Sequence, residues 1–342
     1  MKAFHHPGTA AHDPRFFLVR GRAVPNEERP RRAELLLEGL ARIGAAPETP
    51  PDAGRGPVAA VHSLDYLAFL ETAWAEWSRL PNAGPEVVAN VHPHRGWGSY
   101  PDSLVGRAGW HMADTACPIG EGTWSAARRA ADCAVAAADA VLAGADLAYA
   151  LCRPPGHHAY ADLAGGHCLL NNAAIAAERL RTRLGRVAAL DIDVHHGNGT
   201  QGIFYERADV LTVSIHADPH GFYPFFCGHA GERGAGAGAG FNLNLPLPLG
   251  SGDADWLAAL EAGMARVAAF APEAVVLALG LDAHEADPLR GLSVTTAGFR
   301  EAGRLLAALP APVVMTQEGG YLSEALADNL AAFLEGLLAA RG

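Results

Sequence analysis

The stretch LDIDVHHGNGT at residues 190–200 decides the fold of this chain. It continues the apolar run at residues 187–190, which is typical of a strand buried on both faces. Side chains two residues apart share a face of a strand, so Asp191, Asp193 and His195 are expected to point the same way. Such a group is costly to bury unless a cation binds to it. Because open parallel sheets bind ligands at the carboxyl ends of their strands, the stretch is predicted to form half of a metal site.

Composition limits the class of protein. The 342 residues are 50% hydrophobic and 18% charged, which is typical of a globular protein of one large or two smaller domains. A net charge of −11 argues against a nucleic-acid partner and permits a cationic substrate. Five cysteines without CxxC spacing argue against a disulfide scaffold. Without the apolar run of a signal peptide or a membrane span, the chain is expected in the cytoplasm.

Strands and helices alternate along most of the sequence. After a mixed, turn-rich segment at residues 1–28, helices are predicted at residues 29–43, 63–80, 123–143, from 172, and at 256–270, 296–309 and 323–338. Strands are predicted at residues 57–61, 147–152, 187–190, 210–215, 274–281 and 313–316. This alternation predicts one α/β domain over residues 1–342, with a mostly parallel sheet flanked by helices. The glycine-rich stretch 231–240 lacks the Lys and Ser/Thr of a phosphate-binding loop and is expected to be a flexible connector.

The segment 81–122 is the longest stretch without a regular pattern. It is rich in Gly, Pro, His and Trp, and a loop of this length inside a compact domain is usually a lid, a binding loop or an interface. A solvated excursion is the alternative. Trp97, Tyr100, Trp110 and His111 make the segment too apolar to be left in water, which favours an interface.

Four polar clusters follow predicted strands. They are His157-His158, Asp191 to His195, Asp282, and Glu318 to Tyr321. One buried His or one Asp after a strand is more often a core or capping residue than a catalytic one. Four clusters at the carboxyl ends of a parallel sheet instead converge on one crevice, which indicates an active site.

The residue types indicate hydrolysis with a bound metal. Asp193, His195 and Asp282 would leave an open coordination position, as catalytic metals require, and this N/O ligand set suits Zn²⁺, with Fe²⁺ and Co²⁺ as alternatives. Paired histidines supply a general base and a general acid. The hydroxyl of Tyr321 can donate to a developing oxyanion. Phosphoryl transfer would need more cationic groups, so these residues predict hydrolysis of an amide.

Six segments resemble the histone deacetylase superfamily, and in particular its bacterial acetylpolyamine amidohydrolase branch. They are RPPGHH (153–158), GGHCLLNNAA (165–174), LDIDVHHGNGTQ (190–201), SIHADP (214–219), LGLDAHEADP (279–288) and EGGY (318–321). The resemblance extends from about residue 20 to the C-terminus and includes FNLNLPLPLG (241–250). It implies an arginase–deacetylase fold with a central eight-stranded parallel sheet. It also implies a deacetylase with one catalytic Zn²⁺ and structural K⁺.

The resemblance also assigns roles by motif position. Asp193, His195 and Asp282 match the zinc ligands, and His157, His158 and Tyr321 match the catalytic groups. Asp191 matches the carboxylate that supports His157, and it also matches a K⁺ ligand together with Ser214. Asn198 matches the residue that supports His158, which is an aspartate in some branches. Gly166 matches the residue whose carbonyl receives the substrate N–H, and His167 and Tyr223 match the two walls of the acetyl tunnel. His167 stands where the family usually has an aromatic residue. The neutral Asn198 should leave His158 less basic and better kept as an acid.

The expected substrate is a small cationic acetylamide such as an N-acetylpolyamine. The segment 81–122 would restrict access to the site and, by the resemblance, form part of a homodimer interface. The acidic candidates near the mouth are Asp102, Asp114 and Glu285, although each alone also fits a solvated surface position.

Three alternatives remain open from the sequence: an acetyl-lysine deacetylase acting on proteins, a two-metal ureohydrolase, and a non-catalytic binding protein. Two features disfavour the ureohydrolase. His284 stands where a second metal would need an acid, and the paired histidines are typical of a deacetylase. Complete retention of the ligands, the histidine pair and Tyr321 disfavours the binding protein.

Overall fold

A seven-stranded parallel sheet forms the centre of the molecule. The structure is a computed structural model that describes residues 1–94 and 96–341. The strands in chain order are β1 (Lys2–Phe4), β2 (Phe16–Val19), β3 (Arg22–Pro25), β4 (Leu147–Ala150), β5 (Val187–Asp191), β6 (Val210–Ala217), β7 (Asn242–Leu247), β8 (Ala274–Leu279) and β9 (Val313–Gln317). The central sheet has the order β1-β4-β9-β8-β5-β6-β7, and every neighbouring pair is parallel. Strands β2 and β3 form a separate antiparallel hairpin.

Helices cover both faces of this sheet. They are α1 (Arg31–Arg42), α2 (Gly56–Ala59), α3 (Leu64–Trp77), α4 (Leu104–His111), α5 (Thr123–Leu142), α6 (Asn172–Arg181), α7 (Asn198–Phe204), α8 (Asp253–Phe270), α9 (Thr296–Leu306) and α10 (Leu326–Arg341). Alternate residues of a strand face opposite layers: in β8, Val276 belongs to the core cluster with α5 and α6, and Val275 and Leu277 to the cluster with α8 and α9. The central strands are therefore apolar throughout, as parallel strands buried on both faces require.

The predicted α/β class with a mostly parallel central sheet is confirmed, but several details differ. The described residues place seven strands in the sheet rather than eight. Residues 57–61, predicted as a strand, contain the short helix α2, because a proline in the first turn is compatible with a helix start. The hairpin β2–β3 lies in the segment expected to be only turn-rich. The glycine-rich stretch 231–240 contains a 3₁₀ turn, and a Cβ at Gly238 would lie 2.4 Å from the carbonyl oxygen of Tyr205, so this stretch packs closely.

The segment 81–122, which includes Arg95 outside the described residues, is less irregular than predicted. Helix α4 lies within it and is capped by the side chain of Ser103, which accepts a hydrogen bond from the backbone N–H of Gly106. Its two glycines, Gly106 and Gly109, lower helix propensity and hid the helix from the sequence pattern. The carbonyl of Val91 would lie 2.0 Å from a Cβ at Gly109, so close packing explains the second glycine.

The strand order brings the polar clusters together. Strands β4, β9, β8 and β5 are direct neighbours, and these are the four strands whose carboxyl ends carry the clusters singled out in the sequence. In a parallel sheet these ends lie at one edge, so the topology places all four clusters in one crevice. Among the described residues, no helix is long and apolar enough to cross a membrane.

Candidate active site

Asp193, His195 and Asp282 form a buried group that can hold a metal ion. The Nδ1 atom of His195 lies 3.1 Å from Oδ1 of Asp193 and 3.2 Å from Oδ2 of Asp282. The ligand atoms of the three residues lie within 4.8 Å of one another. The two other carboxylate oxygens are held by the backbone: Gly319 N–H donates to Asp193 Oδ2 at 2.7 Å, and Val194 N–H donates to Asp282 Oδ1 at 3.0 Å. The backbone therefore fixes both carboxylates with one oxygen each turned toward His195.

The residues around this group suit a divalent cation. A Cβ at Gly319 would lie 2.1 Å from Oδ2 of Asp282, so only glycine lets the chain pass this close to the carboxylates. Burial, together with the neighbouring Asp193, raises the pKa of Asp282. Burial alone would lower the pKa of His195, but its hydrogen bonds to Asp193 and Asp282 raise it to about 9. Two buried carboxylates thus demand positive charge between them, and the N/O donor set fits Zn²⁺.

The two adjacent histidines have opposite electrostatic environments. Burial lowers the pKa of His157, but the carboxylates of Asp193 and Asp191 outweigh it and raise the pKa to about 10. Nδ1 of His157 lies 2.9 Å from Oδ2 of Asp191. Burial and the neighbouring His157 hold the pKa of His158 well below its usual value. The protein groups alone therefore favour a charged His157 beside a neutral His158.

Asn198 determines which nitrogen of His158 carries the proton. The Nδ1 atom of His158 lies 2.6 Å from the side-chain oxygen of Asn198. Since this oxygen only accepts, the ring donates from Nδ1, and Nε2 of the neutral imidazole is left as the basic nitrogen. The low pKa of His158 has the direction expected from the sequence, but burial and His157 cause it, and a neutral His158 is first a base and not the acid that was expected.

Tyr321 is positioned by residues that the sequence analysis missed. Its backbone N–H donates to Asp287 Oδ2 at 2.7 Å, and the guanidinium of Arg32 lies 4.5 Å from the ring centroid. Arg32 also donates from Nη2 to the carbonyl of Glu318 at 2.7 Å and pairs with Glu28, both ends of the pair being buried. Arg32 lies on α1, 286 residues before Glu318, and a charged residue on an amphipathic helix is normally read as solvent-exposed.

Glu318 connects two of the four clusters. Its Oε2 atom accepts hydrogen bonds from the backbone N–H groups of Gly156 at 2.6 Å and His157 at 3.0 Å. Burial raises the pKa of Glu318 to about 7. A second group with metal-ligand spacing, His157, Cys168 and Glu318, lies here, and the backbone donors occupy one of the two carboxylate oxygens of Glu318.

His284, the residue that argues against a second metal, is a buried side chain outside both groups. Its Nδ1 atom accepts from the backbone N–H of Ala286 at 3.1 Å, and its ring stacks on Phe299 with centroids 6.4 Å apart.

A cavity of about 420 Å³ leads to the site, and six of the predicted site residues line it: His158, Gly166, His167, His195, Tyr223 and Tyr321. The ring of Tyr223 stands at 89° to that of His158, with centroids 4.9 Å apart. Gly166 has φ +52°, and a Cβ there would lie 2.3 Å from the His158 ring, which explains the glycine. The other predicted residues lie behind this wall.

Several lining residues were not predicted. Phe222 stacks on His195 at 4.9 Å and 17°, and Phe17 from strand β2 contacts the ring of His167 edge-on at 5.5 Å. Arg20 and Arg290 also line the cavity. The β2–β3 hairpin lies far from the other lining residues in the sequence, and nothing in its sequence indicates that it lines a cavity. The aromatic run FYPFF at residues 222–226, which contains Tyr223, could have indicated further lining residues.

None of the three acidic candidates lines this cavity. Asp102 and Glu285 are exposed elsewhere. Asp114 lies behind the wall, where its Oδ2 accepts hydrogen bonds from the Tyr223 hydroxyl at 2.6 Å and the Gly166 N–H at 3.0 Å. Asp114 therefore holds Gly166 and Tyr223 in place and does not provide charge at the mouth.

Ser214 lies beside Asp191 on the neighbouring strand. The two are partners in the parallel register of β5 and β6, and they line the same small cavity of about 10 Å³. The hydroxyl of Ser214 lies 2.8 Å from Nδ1 of His216.

Comparison with known proteins gives a consistent result. The histone deacetylase domain matches residues 26–337. The chain is 48% identical to the acetylpolyamine amidohydrolase of Burkholderia pseudomallei (strain 1710b), with complete coverage of both chains. It is 43% identical to acetylpolyamine amidohydrolase 1 of Pseudomonas aeruginosa, over 93% of each. The chain belongs to the histone deacetylase family.

A solved relative supports the same fold. The chain aligns over its full length with the crystal structure of an iodide-soaked acetylpolyamine aminohydrolase from Burkholderia pseudomallei, which is also covered completely. The TM-score is 0.97 and the sequence identity is 47%. The histone deacetylase family is metal-dependent, typically with zinc, and the buried group of Asp193, His195 and Asp282 offers the corresponding ligands.

The buried charges behind Tyr321 generate a stability prediction. Glu28 pairs with Arg32 and also lies 2.8 Å from Nε of Arg153, so Glu28→Gln would leave two buried guanidinium groups without a carboxylate. We expect the free energy of unfolding to fall by about 3–5 kcal/mol, measured by urea denaturation. Glu34→Gln, which breaks an exposed pair with Arg31, should cost less than about 1 kcal/mol. Equal effects of the two changes would contradict this account.

Proposed function

We propose that the protein is a zinc-dependent deacetylase that hydrolyses N-acetylated polyamines or similar small cationic acetylamides. The observation that carries the proposal is the meeting of a three-ligand group, a histidine pair and Tyr321 at the end of one narrow cavity. The names of the relatives support the acetylated amine, and the net charge of −11 favours approach of a cation. An acetyl-lysine deacetylase acting on proteins is the alternative.

The proposed ligands are Asp193, His195 and Asp282, with one Zn²⁺ per chain. When bound, Zn²⁺ supplies a Lewis acid that polarises the acetyl carbonyl and lowers the pKa of the attacking water. Within the protein, Nε2 of His158 takes a proton from that water and then returns it to the leaving nitrogen. The charged His157, held by Asp191, stabilises negative charge that develops beside it.

The remaining groups orient the substrate. We assign the Tyr321 hydroxyl as the donor to the acetyl oxygen, because an oriented donor in a site that excludes water strengthens as charge develops. The carbonyl of Gly166 receives the amide N–H, and His167 and Tyr223 form the walls of the acetyl tunnel. Asn198 supports His158 as Asp191 supports His157.

A structural K⁺ bound by Asp191 and Ser214 completes the proposed cofactors. Its support is the small cavity that both residues line. We further propose a cytoplasmic location and no nucleic-acid partner, on the basis of the five free cysteines and the net charge.

The first prediction concerns the metal. Asp193→Asn removes one of the two carboxylate charges, so we expect loss of both activity and metal retention, measured by turnover and by metal analysis of the purified protein. Asp102→Asn, the same change at an exposed position, should retain about one metal ion per chain. Full activity of metal-stripped protein would exclude the mechanism.

A second prediction separates the organic groups. Tyr321→Phe removes only a hydroxyl, so metal content should be unchanged while kcat falls roughly 10²–10³-fold, as for loss of one oxyanion donor. His158→Ala should lose more activity than Asn198→Ala, because it removes the proton-transferring group and not its support. Unaffected turnover in Tyr321→Phe would show that this hydroxyl has another role.

The substrate is tested by comparing kcat/KM values. We expect higher values for N-acetylputrescine and N-acetylspermidine than for acetyl-lysine peptides, and weaker binding of the amines as salt rises. Higher kcat/KM for the peptides would favour the alternative while leaving the deacetylase assignment intact.

We also propose a homodimer built partly from the segment 81–122. Trp97 is 88% exposed and Val91 53% exposed, whereas His111 is buried and hydrogen-bonded to Tyr100, so the apolar surface available for an interface is at Trp97 and Val91. Sedimentation at micromolar concentration should give twice the 35.6 kDa mass of one chain. In Trp97→Ala, the measured mass should fall toward that of one chain. A fully active monomer would exclude the dimer as a requirement.

A further inference from the structure

Two arginines line the cavity that leads to the site. Arg20 lies at the tip of the β2–β3 hairpin, and Arg290 lies in the loop after Asp287. Neither guanidinium forms an ion pair with any described residue, and no Asp or Glu in the described part of the chain lines this cavity. His158, His167 and His195 line it as well, but burial lowers the pKa of His167 to about 3, so that imidazole adds no charge. The two arginines are therefore positive side chains on a wall that carries no Asp or Glu, although Asp114 lies directly behind Tyr223 and Gly166.

Backbone conformation indicates that Arg20 is placed there at a cost. Its φ is +51°, in the left-handed region that disfavours residues with a Cβ, and Gly21 follows with φ +78°. Two further residues of the same cavity wall, His167 at +69° and Phe225 at +64°, share this conformation. Asn or Gly would suit the hairpin turn better than arginine. Strained residues that cluster at one cavity are typical of a functional site.

The chemistry of these walls fits an anion at the far end of the substrate. A guanidinium binds a carboxylate through parallel hydrogen bonds, and an unpaired guanidinium opposes an ammonium at the same place. The positive lining therefore distinguishes short acetylamides by the charge of their terminus.

We propose that the enzyme also hydrolyses acetylated ω-amino acids, and that Arg20 and Arg290 bind the terminal carboxylate. The inference rests on the proposed deacetylase function and adds a substrate class to it. In the reaction, the water oxygen bonds to the acetyl carbon and the C–N bond breaks. A proton passes to the leaving nitrogen, so acetate and the free ω-amino acid form while the terminal carboxylate is unchanged.

The test compares two substrates of equal length and opposite terminal charge. 6-Acetamidohexanoate and N-acetylcadaverine each have five methylene groups between the amide and the charged end. In the wild type we expect measurable kcat/KM for 6-acetamidohexanoate, falling as salt rises. Arg20→Gln and Arg290→Gln should each lower this value about 5–10-fold, mainly by raising KM. The kcat/KM for N-acetylcadaverine should stay the same or rise in both variants.

Arg22→Gln is the matched control. Arg22 is an exposed arginine of the same hairpin that does not line the cavity, so its replacement changes the net charge equally and should alter neither value by more than about twofold. Hydrolysis of N-acetylcadaverine without hydrolysis of 6-acetamidohexanoate would overturn this inference and leave the proposed function standing. An equal loss on the carboxylate substrate in all three variants would also overturn it. Failure to hydrolyse either substrate would count against the proposed function itself.

Discussion

The burial of Asp193 and Asp282, just after the neighbouring strands β5 and β8, is the constraint on which the rest of the site depends. Two carboxylates in this position cost several kcal/mol each unless positive charge lies between them. The backbone N–H groups of Val194 and Gly319 satisfy one oxygen of each, and His195 faces the others. The backbone thus holds the acids in place and leaves the neutralisation of their charge to a cation. The charge of Asp193, together with that of Asp191, also raises the pKa of His157.

The same charges explain how two adjacent histidines acquire different roles. Their rings are only 4.0 Å apart, so both cannot be cationic without strong repulsion. The carboxylates of Asp193 and Asp191 keep the charge on His157, burial and His157 keep His158 uncharged, and Asn198 fixes the tautomer of His158. The carboxylate of Asp191 on β5 and the amide of Asn198 at the start of α7 thus add to the effects of Asp193 and of burial in giving the two histidines different protonation states.

The sequence predicted the site better than its surroundings, for a physical reason. Asp193, His195 and Asp282 lie directly after apolar strands, and the period of two and the parallel topology bring such residues together. Arg32 and Phe17 come from α1 and β2, and no local pattern connects them with residues more than a hundred positions away. Helix α4 was missed because close packing requires its glycines, and the edge strands β1 and β7 lack the long apolar run of the central strands.

The net charge of the chain did not predict which charged side chains line the cavity. The −11 of the whole chain is spread over its surface, and interactions between exposed charges are screened within about 10 Å at moderate salt. What a bound substrate experiences is set by the few groups close to it, and the side chains that line the cavity include Arg20 and Arg290 but no carboxylate of the described chain. Of the three acidic candidates, only Asp114 contacts the tunnel residues, and it does so through hydrogen bonds to Tyr223 and Gly166. The distant field can therefore favour the approach of cations, while selection among bound substrates depends on the arginines at the wall.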